Sequence, residues 1–428
     1  MRGASPTGGL TRSLGYDQVG QLTALTYGGD VADVVANGDG TWTVTGYHQD
    51  SWVAWSRGYD GAGRLAQEWT PDAAAITGPA GVDQPSQIAP YDTGDALGYS
   101  RTYSYDRAGR LATVADRTAT TTGVDVTTDP VGCQVRAYSF DVNGNRTALT
   151  RRAPATDGSC ATAGGTTTSW VYDSADRLTS GYTYDAFGRA TTIPGADTPN
   201  GSTAGALTLG YYDTEQVASM VQGASTSTYA LDMAGRRSTS TATPIAGPGA
   251  PVTTMSRYYS DTGDNPAWTT TSIDAGPVST TRYAENVAGD LGITITDGTV
   301  SVPVANPHGD IVTTIAVPAT GDALTIGAWA DYDEYGNPLP PAGATTAQTL
   351  ANAATVAGPG GYGWVGAKQR ATNPTTGLIL MGARVYNTVT GAFTSRDPVY
   401  GGNTTAYTYP QDPTNGYDLT GQWGWDWL

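Results

Sequence analysis

Three phenylalanines, two histidines and two cysteines in 428 residues leave little room for several common kinds of chemistry. Two cysteines and two remote histidines, His48 and His308, do not make a four-ligand zinc site, so neither metal nor cofactor is expected. No run of about 20 apolar residues occurs, which excludes a membrane-spanning helix. The opening MRGASPTGGLTRSLGYDQ lacks the apolar stretch of a signal peptide. Charge is also scarce, at 14% of residues, and 22 Lys and Arg against 39 Asp and Glu give a net charge of −17. A surface of that sign repels phosphate, so nucleic acid is not an expected partner. No Ser-His-Asp set stands out, and the stretch Gly358 to Gly363 lacks the Lys-Ser/Thr of a phosphate loop and reads as a turn.

What the chain has in abundance is 57 Gly, 25 Pro, 26 Tyr and 11 Trp, with much Thr, a composition that favours strands and tight turns and leaves helix scarce. A degenerate Tyr-Asp-x-x-Gly-x-Leu unit recurs. It reads YDQVGQL at Tyr16, YDGAGRL at Tyr59, YDRAGRL at Tyr105, FDVNGNR at Phe140, YDSADRL at Tyr172, YDAFGRA at Tyr184, LDMAGRR at Leu231, YAENVAGDL at Tyr283 and YDEYGNP at Tyr332. In each copy an aromatic ends one strand, Asp and Gly supply the turn, and an aliphatic starts the return strand. Asp caps backbone amides while Gly takes positive φ.

Spacing is irregular, 43 residues from Tyr16 to Tyr59 but 12 from Tyr172 to Tyr184, with insertions at Asp72 to Asp92 and Thr191 to Thr208. One hairpin cannot bury its own apolar face, so the units are expected to stack into one long, curled antiparallel sheet. Its tyrosines and tryptophans are expected to pack across strands, with sugar stacking as the alternative. Cys133 and Cys160, 27 residues apart, would contribute about 3 kcal/mol as a disulfide in an oxidising compartment; two free thiols are the alternative.

The last third carries NPHGDIVTTI at Asn306, WADYDEYGNPLP at Trp329 and GYGWVGAKQRATNPTTGLILMGARVYNTVTGAF at Gly361. TSRDPVYGG follows at Thr394, and YDLTGQ at Tyr417. Together with the repeats, these segments resemble the RHS/YD-repeat family and its closing repeat-associated core, similar to the YD shells of teneurins and of Tc-toxin C components. The resemblance implies an all-β spiral shell or cocoon over residues 1–303, a core plug over 304–422 and the stub of a tail over 423–428. It also implies a secreted or cell-surface bacterial polymorphic-toxin protein, exported by a signal outside this chain. The partner implied is its own C-terminal effector peptide, missing here, with an N-terminal delivery region or a surface glycan as further partners.

Carried over residue by residue, the family pattern makes Asp397 and Asp418, 21 residues apart, the two acids of a self-protease. Two close carboxylates share a proton, one activating water while the other protonates the leaving group. Arg384 or Arg396 would support the ionised form, and the cut would fall between Gln422 and Trp423. Here the sequence departs from the pattern: Asp397-Pro398-Val399-Tyr400-Gly401 is one residue longer before its Gly. Leu419 replaces a proline, and Gln422 replaces the terminal leucine. Asp412 is expected to cap a turn. Two rival expectations remain: a cell-surface adhesion or carbohydrate-contact module with inert aspartates, and a truncated structural remnant.

Overall fold

The chain is described here by a computed structural model covering residues 10–36, 42–70, 98–118, 132–244, 251–317, 325–340, 345–422 and 426–427. Each residue of the repeat unit has a distinct role. In the copy at Tyr59, Asp60 Oδ1 accepts from the backbone N–H groups of Ala62 and Arg64, both at 2.9 Å. Gly63 N–H closes the turn onto the Asp60 carbonyl, and Gly63 lies at φ 81°, where a side chain would strain the backbone. The same caps recur at Asp17, Asp106, Asp141, Asp173, Asp185, Asp232 and Asp333, with asparagine in that place at Asn286 and Asn306. One further copy, Tyr211 to Gln216, has neither signature residue: Tyr212 takes the Asp place and Glu215 sits at φ 70°.

In several units the aromatic or the arginine reaches a neighbour. Tyr59 donates to the Leu22 carbonyl (2.7 Å), Tyr105 to Leu65 (2.6 Å), Tyr172 to Arg146 (3.0 Å), Tyr211 to Ala190 (2.9 Å) and Tyr259 to Arg237 (2.8 Å). In every case the acceptor is the first residue of the preceding return strand. The turn arginine also lies over the next aromatic ring: Arg64 over Tyr105 at 4.3 Å, Arg110 over Phe140 at 4.9 Å, Arg236 over Tyr259 at 4.1 Å. Hydrogen bond and cation–π contact thus join successive hairpins along their turn edge.

The hairpins form two antiparallel meanders with strands in strict chain order. Among the described residues, nine strands from Leu10–Tyr16 to Thr166–Ser169 make the first sheet, and thirteen from Thr183–Tyr184 to Thr325–Ile326 make the second. Their far ends meet, because Leu25, Tyr27, Val53 and Trp55 pack on Val304, Val312, Ile315 and Trp329. The strand Thr299–Ala305 runs through the expected boundary at 303/304 and pairs with Ile311–Val317, so the second sheet continues into the C-terminal third. Cys133 and Cys160 form a disulfide, their Cα atoms 4.7 Å apart.

The C-terminal third packs on both sheets. Tyr335 joins the first sheet's core, Leu378, Leu380 and Val385 join the second's, and Trp364, Tyr386, Phe393 and Tyr409 stack in the middle. Its one α-helix among the described residues, Thr346–Ala357, starts on a Thr345–Gln348 capping box. The face of the first sheet toward this plug is charged. Asp116 takes Arg101 at 3.0 Å and Arg136 at 2.8 Å, Arg136 also grips Glu334 at 2.7 Å, and Arg57 pairs with Glu68 at 2.7 Å. Paired in this way, the charges can be buried without a bare ion. The segment 394–417 then runs along the turn edge as a strap. Leu65 N–H donates to Asn415 Oδ1 (2.8 Å), Leu111 N–H to the Gln411 carbonyl (3.0 Å) and Ala190 N–H to the Thr394 carbonyl (2.8 Å), so the strap satisfies return-strand amides in copy after copy.

Candidate active site

The strap begins beside Asp397 and ends at Asp418, and it folds back so that both reach one guanidinium. Arg384, on the strand Arg384–Asn387, donates through Nη2 to Asp397 Oδ2 (2.9 Å) and to Asp418 Oδ2 (2.8 Å). Asn403 Nδ2 bridges the same two oxygens, at 3.3 Å and 3.0 Å. The three charged side chains are almost closed to solvent: 1% exposed for Arg384, 4% for Asp397 and 0% for Asp418. The Phe393 ring lies under the guanidinium, 3.6 Å away, while Nη1 donates to the Ala406 carbonyl at 3.2 Å and Nε to that of Gly421. All sides of this arginine are therefore held.

Asp397 is also fixed by Val399 N–H on Oδ1 (2.9 Å) and by its own N–H on the Ala406 carbonyl (2.7 Å). Burial pushes its carboxyl above the usual range, with the Arg384 charge working against that rise. Burial likewise lowers Arg384, against the pull of both carboxylates. The site therefore holds one cation for two acids, and the acid form of Asp397 persists further up the pH scale than in an exposed aspartate.

The expected cut lies within reach. Gln422 N–H donates to Asp418 Oδ1 at 3.0 Å. A methyl group placed on Gly402 would stand 2.5 Å from the Gln422 carbonyl oxygen and 3.0 Å from Asp397 Oδ2, so only glycine leaves that corner open. Trp423 lies outside the described residues. Beyond it, Asp426–Trp427 pairs antiparallel with Gly416–Tyr417, directly before Asp418, so the chain turns back past the site as a strand.

Arg396 is not in the cluster: it is exposed, with its side chain against Gly188 in a repeat turn, and among these two arginines it is Arg384 that reaches the two acids. Asp412 stands apart too, accepting from Thr414 Oγ1 (2.9 Å) and Asn415 Nδ2 (2.8 Å), as a turn cap does. Asn403 had no sequence signal beyond Gly401-Gly402 before it, a pair that admits close backbone approach. Among the described residues no group of His, Cys, Asp and Glu is placed to hold a metal, and no helix is long and apolar enough to cross a membrane.

No family model matches the sequence, and no curated protein does. Solved structures do match. Against the crystal structure of TcdB2-TccC3-Cdc42 the TM-score is 0.63 at 15% identity, over 96% of this chain and 19% of that one. The chain has the fold of a TcdB2-TccC3 segment. A mutant Tc holotoxin pore of Photorhabdus luminescens gives 0.60 at 15% identity, over 96% and 18%. TcdB2-TccC3 without its hypervariable C-terminal region gives 0.57 at 15% identity, over 96% and 21%. The chain spans about a fifth of these structures, and what it shares with them is the β-shell architecture of stacked antiparallel hairpins.

Proposed function

We propose that this chain is an RHS/YD-type β-shell that holds the C-terminal extension of its own polypeptide and severs it after Gln422. The observation that carries this reading is the meeting of Asp397 and Asp418 on Arg384 and Asn403, with Gln422 hydrogen-bonded to one acid while its carbonyl and the other acid both border Gly402. Isolated turn aspartates have no reason to converge on a single buried cation. The shell fold shared with TcdB2-TccC3, a protein whose C-terminal region is described as hypervariable, supports the same reading.

The chemistry balances with water as the only co-reactant. Asp418 takes a proton from water as its oxygen adds to the Gln422 carbonyl carbon. Asp397, whose neutral form burial favours, gives its proton to the departing Trp423 nitrogen. The C–N bond breaks to leave a carboxyl on Gln422 and an amine on Trp423. The proton has then changed acids, so the titration belongs to the pair.

The test is intact mass of residues 1 to 428 fused at Leu428 to a stable reporter, beside Asp397→Asn and Asp418→Asn. The parent is expected to cut after Gln422, with either substitution slowing the cut by about 100-fold or more. Its rate should fall as pH rises through the raised Asp397 value, since the acid form is then lost. A parent that stays whole would overturn the proposal and leave a shell without a cutting function.

A further inference from the structure

A second cluster lies next to the scissile segment. A cavity of about 360 Å³ is bordered by Gln422 and by Arg237, Arg257, Arg370, Gln216 and Gln369. In a chain of net charge −17, four arginines around one cavity are unexpected; the fourth, Arg236, is paired with Asp232 at 2.9 Å. Asp264, the acid on its wall, is already taken by Arg370 at 2.9 Å. Arg237 is 9% exposed and donates through Nη1 to the Gly382 carbonyl (2.7 Å), but its Nε and Nη2 have no hydrogen-bond partner among the described residues. Burial, joined by the like charge of Arg257, weakens its hold on its proton. The buried Oε1 atoms of Gln216 and Gln369 are unpartnered as well.

The open valences are thus two guanidinium nitrogens, carrying three N–H bonds, and two amide oxygens. They suit a ligand carrying a carboxylate and a carboxamide N–H, which describes a C-terminal glutamine. We infer that this cavity receives the terminal carboxylate and side-chain amide of Gln422 once the bond to Trp423 is cut. The inference rests on the self-cleavage reading. Ala383 N–H holds the Thr420 carbonyl at 2.9 Å and Arg384 holds that of Gly421, so only the last residue has to turn. Capture removes the new carboxylate from the two acids and accounts for glutamine at a position where the family pattern has leucine.

The self-cleaved full chain is treated with carboxypeptidase and followed by intact mass. The parent should keep Gln422. Arg237→Gln and Arg257→Gln, each checked for self-cleavage and therefore for folding, should lose it at least about tenfold faster, the usual scale of a lost charged hydrogen bond. Equal trimming of all three would overturn the inference. A second arm uses the uncut Asp397→Asn chain, in which N-acetylglutamine, but not its C-terminal amide, should raise Tm at constant ionic strength. Arg237→Gln on that background should remove the shift. Should the parent fail to cut, visible by mass before any protease is added, the self-cleavage reading fails and this arm alone decides. No shift overturns the pocket, whereas an Arg237-dependent shift upholds its ligand chemistry. Equal N-acetylglutamine binding by cut and uncut chains would assign the cavity to a free ligand and overturn capture of the chain's own end.

Discussion

Aspartate and arginine meet in two different ways in this molecule. In five of the repeat turns the Asp pairs with the Arg four residues on, as in Asp60–Arg64, whose side chains are 27% and 31% exposed, and the same carboxylate caps its own turn. In the C-terminal third, Asp397 and Asp418 reach one arginine from 13 and 34 residues away, out of water. The first arrangement is local, one cation to one acid, and its product is a shape. The second is closed by the whole fold and leaves two acids with one cation, which favours a shared proton. The same residue types cap turns in one place and share a buried cation in the other, and the difference lies in the stoichiometry and burial of the charges.

The largest expected contrast comes from amide substitutions in the two settings. Asp397→Asn should slow self-cleavage about 100-fold or more, whereas Asp60→Asn, which keeps the turn cap, should leave the rate unchanged and shift Tm-derived stability by about 0.5 kcal/mol or less. A fall in cleavage with Asp60→Asn would erase the distinction. Next, Arg384→Ala strands two buried acids and should destabilise the fold by about 3–5 kcal/mol in urea unfolding, while Arg64→Ala should cost about 1 kcal/mol or less.

Gly402→Ala separates geometry from charge. Its methyl would press on the Gln422 carbonyl and on Asp397, so the cut should slow about tenfold or more with Tm little changed.

Acid tests the buried pairs of the first sheet. Burial raises the Asp116 carboxyl, but Arg101 and Arg136 outweigh it and hold it down at about 2. Since this value lies below that of an unfolded aspartate, the pair's stabilisation is present above about pH 4 and is lost as pH falls toward 2. Acid unfolding of the parent should therefore be steeper across that window than that of Asp116→Asn, by about 2 kcal/mol in total. The smallest effect is expected at Glu215, whose φ of 70° suits glycine: Glu215→Gly should raise stability by up to about 1 kcal/mol in thermal unfolding.

The hairpins were legible because Tyr-Asp-x-x-Gly encodes its turn locally, in a cap and a positive φ. The turn at Tyr212 was not, because there the strand pairing on either side imposes the conformation on residues that do not favour it. Both acids were visible through the resemblance, yet the choice of Arg384 over Arg396 was not. Both precede Asp397, and the packing of Phe393 under Arg384, with the Ala406 and Gly421 carbonyls on its nitrogens, selects the inward one. Asn403 escaped because no motif marks it, although its partners Asp397 and Asp418 stand only 6 and 15 residues away. The cavity at Arg237 escaped because it joins the second sheet to the C-terminal third, at separations that no local pattern records.

The strap over residues 394–417 bears on when the molecule becomes competent. Leu65, Leu111 and Ala190 hand their amide protons to residues that leave the ribosome hundreds of positions later, and the two acids stand at the ends of that same seam. A chain whose seam is unsewn has its two acids apart. On the proposed reading, closing the seam and bringing the acids together would be one event, which would tie the cut to the end of synthesis without a separate sensor.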